Sequence, residues 1–196
     1  VPFFFFAGNL MNHTGITRHL ISFSRLLTRR MVGGIAQVSV LLSTLMGGVS
    51  GSAVADASME ARILGPEMLK RGYTKGYAAG VICLTSLITA TIPPSLGLIL
   101  YGFVGGVSIG KLFVAGIVPG LMMMAILMGT VYVTSKKRGF DLPDPNAKRP
   151  TWPEIYAELK QSIWALIFPL ILIVGIRFGL FTPTEAGAFA VVYALV

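Results

Sequence analysis

Apolar residues run along this chain in long blocks, and the blocks are separated by short basic or glycine- and proline-rich stretches. Residues 79–92, 112–133 and 163–176 are the most continuous, and the last two lie in stretches that could cross a hydrocarbon layer of roughly 30 Å, which takes about 20 helical residues. The pattern predicts an all-α membrane protein: a polytopic helical bundle with a re-entrant helical hairpin and a broken transmembrane helix. Residues 1–12 read as the end of a span, closed by the turn formers Asn12, His13, Thr14 and Gly15. Residues 13–31 read as an amphipathic interfacial helix, with Arg18, Arg25, Arg29 and Arg30 set among Leu20, Ile21, Phe23, Leu26 and Leu27. The hairpin occupies residues 32–72, the broken helix 73–104 and a further span 105–135. A polar connector follows at 136–160, with Pro143, Pro145, Pro150 and Pro153, and two more crossings begin at 161–196, the last of them incomplete. Trp152 and Trp164 suit an interfacial belt.

Composition supports this. With 54% hydrophobic and 12% charged residues and a mean hydropathy of +0.76, the chain is far from a soluble domain, where charged residues alone reach about a quarter. The net charge of +8 is no sign of nucleic-acid binding, because the cations cluster between apolar runs without interleaved aromatics. It reports topology instead. Four Lys and Arg residues precede the hairpin, three follow it and six surround the connector, so 13 of the 16 fall on one side when both hairpin ends are cytoplasmic. The stretch 53–69, with Asp56, Glu60, Arg62 and Glu67, is too polar to face lipid and must face protein or water. The lone Cys83 offers no disulfide or thiolate site, and His13 and His19 lie far in sequence from either interruption, so no transition-metal site is expected. The chain opens without Met and closes in an apolar run at 188–196, and reads as a piece of a longer protein.

Two interruptions carry the chemistry. At Pro93 and Pro94 the missing amides and the clashing rings free the carbonyls of Thr89 and Ala90 and end the helix near Thr91. A second half-helix is expected to start at the prolines themselves. The first half then offers carbonyls to a cation and the second offers amides to an anion, with Thr89, Thr91 and Ser95 adding hydroxyls. At the hairpin tip, residues 47–52, the glycines permit a tight reversal, and Ser50 and Ser52 are small oxygen ligands. Oxygen-only ligation suits Na⁺ or proton-linked chemistry. Such backbone is tolerated at membrane depth only inside protein or beside water, and two broken elements that meet there are how secondary transporters build their sites.

Asp56, in the first turn after the tip, is either a ligand or coupling-ion group, or an acid that caps or braces the hairpin. Glu60 lies one turn further, and Arg62 is expected to neutralise one of the two acids. Glu67 and Lys70 are read as cytoplasmic surface. Thr182, Pro183, Thr184 and Glu185 form a helix start with Thr182 as cap.

Several runs together resemble the large membrane subunit of TRAP (tripartite ATP-independent periplasmic) transporters, which include C4-dicarboxylate and sialic acid permeases. They are Val1-Pro2-Phe3-Phe4 with Gly8, Ser50-Gly51-Ser52-Ala53-Val54-Ala55-Asp56, Pro66 with Met68, Gly72-Tyr73, Ile92-Pro93-Pro94-Ser95, Leu112-Phe113 with Ala115-Gly116, Pro119-Gly120, and Phe181-Thr182-Pro183-Thr184-Glu185-Ala186. The resemblance implies an elevator-type secondary transporter of two inverted repeats in the bacterial inner membrane, driven by Na⁺. Its partners would be a small membrane subunit and a periplasmic substrate-binding protein that delivers an organic acid. It implies a Na⁺ site at Ser50, Gly51, Ser52, Thr91, Pro93 and Pro94, substrate contacts at Ser52, Asp56 and Ser95, and an arm-helix role for residues 16–31. By length, this chain would hold the end of one repeat and the start of the next, without the second hairpin. Two rivals differ in kind: a divalent-anion/Na⁺ symporter that needs no binding protein, and a membrane hydrolase with Ser50 or Ser52 as nucleophile and Asp56 nearby. The hydrolase lacks an evident base on the hairpin.

Overall fold

The computed structural model describes residues 6, 10, 16–142, 151–178, 180 and 182–195. The expected end of a span at 1–12 (apart from Phe6 and Leu10), the turn at 12–15 with His13, the connector prolines Pro143, Pro145 and Pro150, and Phe181 lie outside them. Among the described residues every regular element is helical: α1 Ile16–Thr28, α2 Gly34–Gly47, α3 Ala53–Ile63, α4 Gly65–Lys70, α5 Lys75–Thr91, α6 Leu96–Gly105, α7 Ile109–Arg138, α8 Trp152–Arg177 and α9 Pro183–Leu195.

Helix α7 is long and apolar enough to cross a membrane, yet only 17% of its most apolar window is buried within the chain. Val118, Met122 and Ile126 stand outward along it, as do Phe103 and Val104 at the end of α6. So much exposed apolar surface is stable against lipid or further protein, not water. Helices α5 and α6 together pass the same length and composition test but are bent by 46° at their break. Beyond α6, Gly106 ends the helix in the left-handed conformation at φ 63°.

Helices α2 and α3 lie side by side, and both pack on α5, while α2 also meets α1 and α7. Leu42, Met46, Ile88, Leu64 and Met68 fill the space between them. In α1 the stripe Leu20, Ile21, Ser24 and Thr28 is buried, and α2 and α8 pack against this helix. Of the apolar face expected to rest in the membrane interface, Leu20 and Ile21 are covered by protein, Phe23 and Leu26 are half-buried, and Leu27 stays exposed with Arg18 and Arg25. Helix α8 begins at Trp152, inside the stretch read as connector, because Pro153 suits a first helical turn and the Thr151 amide donates to Glu154 Oε2 at 3.2 Å.

Arginines and acids meet at the end of the molecule where α1, α4 and the residues after α7 come together. Arg25 bonds Glu67 at 2.5 Å, Arg71 bonds Glu67 at 2.9 Å, and Arg71 bonds Asp141 at 3.0 Å. Glu67, expected as plain surface, is the centre of this chain of ion pairs. Asp141 also accepts from the Ile35 amide at 2.8 Å, and its carbonyl accepts from the Gly33 amide at 3.0 Å. Helix α2, which has no capping side chain of its own, is thus capped from the far end of α7. Beside this clasp Tyr73 stacks on Tyr77, and Phe140 packs against both rings.

Candidate functional site

The tip forms because α2 ends in glycines and a serine restarts the helix. The amides of Val49 and Ser50 both donate to Met46 O, at 2.9 and 2.8 Å, which tightens the last turn. Gly51 follows at φ +59°, and Ser52 caps α3 by accepting from the Ala55 amide at 3.4 Å. At the break, Pro93 and Pro94 have no amides for Thr89 O and Ala90 O. Helix α5 stops at Thr91, and Ala90 O accepts instead from Ser95 Oγ at 2.5 Å. The second half-helix does not begin at the prolines, as expected from the sequence, but at Leu96. Ser95 is extended and its hydroxyl accepts from the Leu98 amide at 3.5 Å, and neither proline has such a capping oxygen.

Tip and break are in direct contact. Gly51 O accepts from the Leu96 amide at 3.2 Å. A Cβ on Gly51 would run into the Pro94 carbonyl oxygen and come within 3.1 Å of Ser95 Cα, so only glycine fits both the positive φ and the approach. Gly47 also lies close to Ile92, with 2.8 Å between a built Cβ and that of Ile92. The arrangement therefore brings together two helix N-termini, capped by Ser52 and Ser95, and two helix C-termini, at Gly47 and Thr91. Partial positive charge from one pair stands beside partial negative charge from the other.

The structure thus gathers Ser50, Gly51, Ser52, Pro93, Pro94 and Ser95 at one junction. Ser50 is buried with its hydroxyl 3.4 Å from Met46 O, and Ser52 is half-buried. The Thr91 hydroxyl turns back to donate to Leu87 O at 2.9 Å, which leaves its carbonyl as the oxygen it presents at the end of α5. Asp56 is 1% exposed and turns inward, with its Oδ2 2.8 Å from Ser43 Oγ and 2.6 Å from Thr89 Oγ1. Glu60 lies beside it and accepts from Ser43 at 2.8 Å and from Ser39. Arg62 does not neutralise either acid: its side chain is exposed, and hydroxyls take the role assigned to it. Ser39, Ser43 and Thr85 went unread as site residues in the sequence. A signal exists, because Ser39 and Ser43, Asp56 and Glu60, and Thr85 and Thr89 are three polar pairs spaced four apart, the first and last in apolar helices, and this spacing puts a pair on one face. At α9 the expected cap is present, with Thr182 Oγ1 accepting from the Glu185 amide at 3.3 Å.

Over residues 1–196 the chain matches the family model described as Tripartite ATP-independent periplasmic transporter, DctM component. The chain belongs to this family. It is 42% identical over 195 residues to the 2,3-diketo-L-gulonate TRAP transporter large permease protein YiaN of Escherichia coli, covering 100% of this chain and 45% of that protein. The sialic acid TRAP transporter large permease protein SiaM of Vibrio cholerae is 40% identical over 195 residues, 100% of this chain and 45% of the relative. The C4-dicarboxylate TRAP transporter large permease protein DctM of Pseudomonas aeruginosa is 34% identical over 194 residues, 99% and 44% of the two chains. The chain spans about half the length of the curated relatives it matches. These relatives are membrane permease subunits, not enzymes, which removes the hydrolase reading of Ser50 and Ser52.

Proposed function

We propose that this chain supplies one half of the ion and substrate core of a Na⁺-coupled TRAP permease for an organic acid. The observation that carries the reading is the Gly51 to Leu96 hydrogen bond, which sets two carbonyl-bearing helix ends beside two amide-bearing ones. A Na⁺ ion is held at the carbonyl side by oxygens of Ser50, Gly51, Ser52, Thr91 and the Pro93–Pro94 linker. The substrate carboxylate is met by the first-turn amides of α3 and α6, with the Ser52 and Ser95 caps beside them. Asp56 reaches this junction through Thr89, whose hydroxyl also lies 2.9 Å from Ser43 O.

In this reading α2, the tip and α3 form a re-entrant hairpin with the arginine-rich end in the cytoplasm, α1 is the arm of an elevator, and α8 opens a second inverted repeat. A small membrane subunit and a periplasmic binding protein complete the machine in the bacterial inner membrane. The relatives' substrates, diketogulonate, sialic acid and C4-dicarboxylates, share a carboxylate, which supports an organic acid as cargo.

The test is uptake by the full complex in liposomes across a Na⁺ titration, with a panel of organic acids and the binding protein supplied or omitted. Ser52→Ala and Pro94→Ala should lower uptake at least tenfold and move its half-saturating Na⁺ upward. Unchanged Na⁺ dependence in both variants would remove the junction from the ion site, and uptake without any binding protein would favour the symporter architecture.

A further inference from the structure

Away from the junction, the interior between α2, α3 and α5 holds the two carboxyl groups of Asp56 and Glu60, 1% and 0% exposed, and no cation among the described residues reaches them. The ion pairs among the described residues are those of Arg25, Arg71, Glu67 and Asp141. Among the described residues, the elements packed here turn no free cation toward the pair. Helix α2 has no titratable side chain. In α4, Glu67 is tied to Arg25 and Arg71, and Lys70 is exposed. In α5, Lys75 and Cys83 are exposed and Tyr77 bonds Thr134. Arg62, on α3 itself, is exposed. Two ionised carboxylates side by side without a cation would meet both the desolvation of burial and their mutual repulsion.

Two observations show how the site avoids that state. Asp56 Oδ1 is buried without a hydrogen-bond partner. A bare oxygen of an ionised carboxylate at such a place is far more costly than the carbonyl oxygen of a neutral acid. Independently, Ser43 Oγ lies 2.8 Å from Asp56 Oδ2 and 2.8 Å from Glu60 Oε1. A serine hydroxyl carries one hydrogen, so it can donate to only one of them, and the other contact needs a hydrogen that a carboxyl brings. These oxygens stand at hydrogen-bond separations, close enough to share protons. An alkali ion among them would have to push them apart.

We infer that Asp56 is a proton-binding site. Its Oδ2 carries the proton and donates to Ser43 Oγ, Ser43 donates to Glu60, and Glu60 holds the single negative charge under Ser39, Ser43 and Thr85. The neutral Asp56 also keeps negative charge away from the first turn of α3, where the transport reading places an anion. Loss of the proton sets two charges against each other between the hairpin and α5, so the docking of the hairpin depends on pH. The inference stands on the packing of these three helices and does not depend on the Na⁺ assignment.

Infrared spectroscopy of the full permease with its small subunit in lipid, free of substrate, tests it directly. At neutral pH the protein should show the carbonyl stretch of a buried carboxylic acid, shifted in heavy water, absent from Asp56→Asn and unmoved by Na⁺. The absence of such a band, its survival in Asp56→Asn, or its loss on adding Na⁺ would each overturn the proposal, the last by making the pair a cation site. Unfolding supplies a second readout that needs no transport. Asp56→Asn keeps a donor facing Ser43 and should leave the unfolding midpoint within a few degrees of the parent, whereas Glu60→Gln puts a donor amide among hydroxyl donors and should lower it by more. The reverse order would place the proton on Glu60 and overturn the assignment.

Discussion

Two regions of this molecule each hold a pair of acids, and they satisfy them by opposite means. At the arginine-rich end, Arg71 bridges Glu67 and Asp141 and Arg25 pairs with Glu67, and the two arginine side chains remain 45% and 43% exposed. In the interior, Asp56 and Glu60 are served by serine and threonine hydroxyls from α2 and α5 and touch no cation among the described residues. The difference follows from where each pair sits. A guanidinium at the surface keeps part of its hydration while it pairs, and such pairs are individually weak and screened by salt. Drawn into the interior it would lose that hydration, whereas hydroxyls on neighbouring helices need only be aimed. The lesson is that the clasp at one end is adjustable, and the interior network depends on each of its hydrogens.

That contrast can be broken at several points, in decreasing order of effect. Ser43→Ala removes the one hydroxyl shared by both interior acids and should destabilise the permease by about 2–3 kcal/mol, with no dependence on ionic strength. The measurement is the unfolding midpoint of the purified complex at low and high salt. Gly51→Ala forces a side chain into the left-handed region and onto the Pro94 carbonyl, and should cost about 2 kcal/mol while abolishing uptake. Normal uptake in that variant would mean the tip does not need its contact with the break. Asp141→Ala removes the remote cap of α2 as well as an ion pair, for about 1 kcal/mol, most of it the cap. Asp141→Asn, which keeps an acceptor for the Ile35 amide, should recover most of the loss in the same midpoint assay. Arg71→Gln should cost less than about 1 kcal/mol and lose even that as salt is raised. A salt-independent Arg71 effect as large as that of Ser43→Ala would erase the distinction between the two regions.

Gly51 also marks where local information stops. Its neighbours in sequence announce a reversal, and the proline pair announces a helix end, because both are consequences of covalent geometry within a few residues. That the Gly51 carbonyl should meet the Leu96 amide is written in neither segment. The misreading of Arg62 has the same origin. Two residues from Glu60 along a helix, it is the nearest counter-charge in sequence, yet positions two apart point to different faces, and the true partners lie on α2 and α5. The start of α6 at Leu96 was legible in principle, since Ser95 is a better cap than either proline. The capping of α2 by Asp141 was not, because nothing short of the folded path of α5 and α7 brings that residue back.

What the sequence determined by itself is the solvent and the punctuation. Apolar blocks of spanning length, cations gathered between them, glycines at the tip, prolines after Thr91 and serines ahead of two helices all act through hydrophobic transfer and local backbone sterics, which need no distant partner. Only the tertiary structure decided which interruptions touch, which hydroxyls serve Asp56 and Glu60, and which acids take arginines. Those choices depend on side chains tens of residues apart arriving within hydrogen-bond reach, and that distance is set by how α2, α3, α5 and α7 pack, not by any one of them.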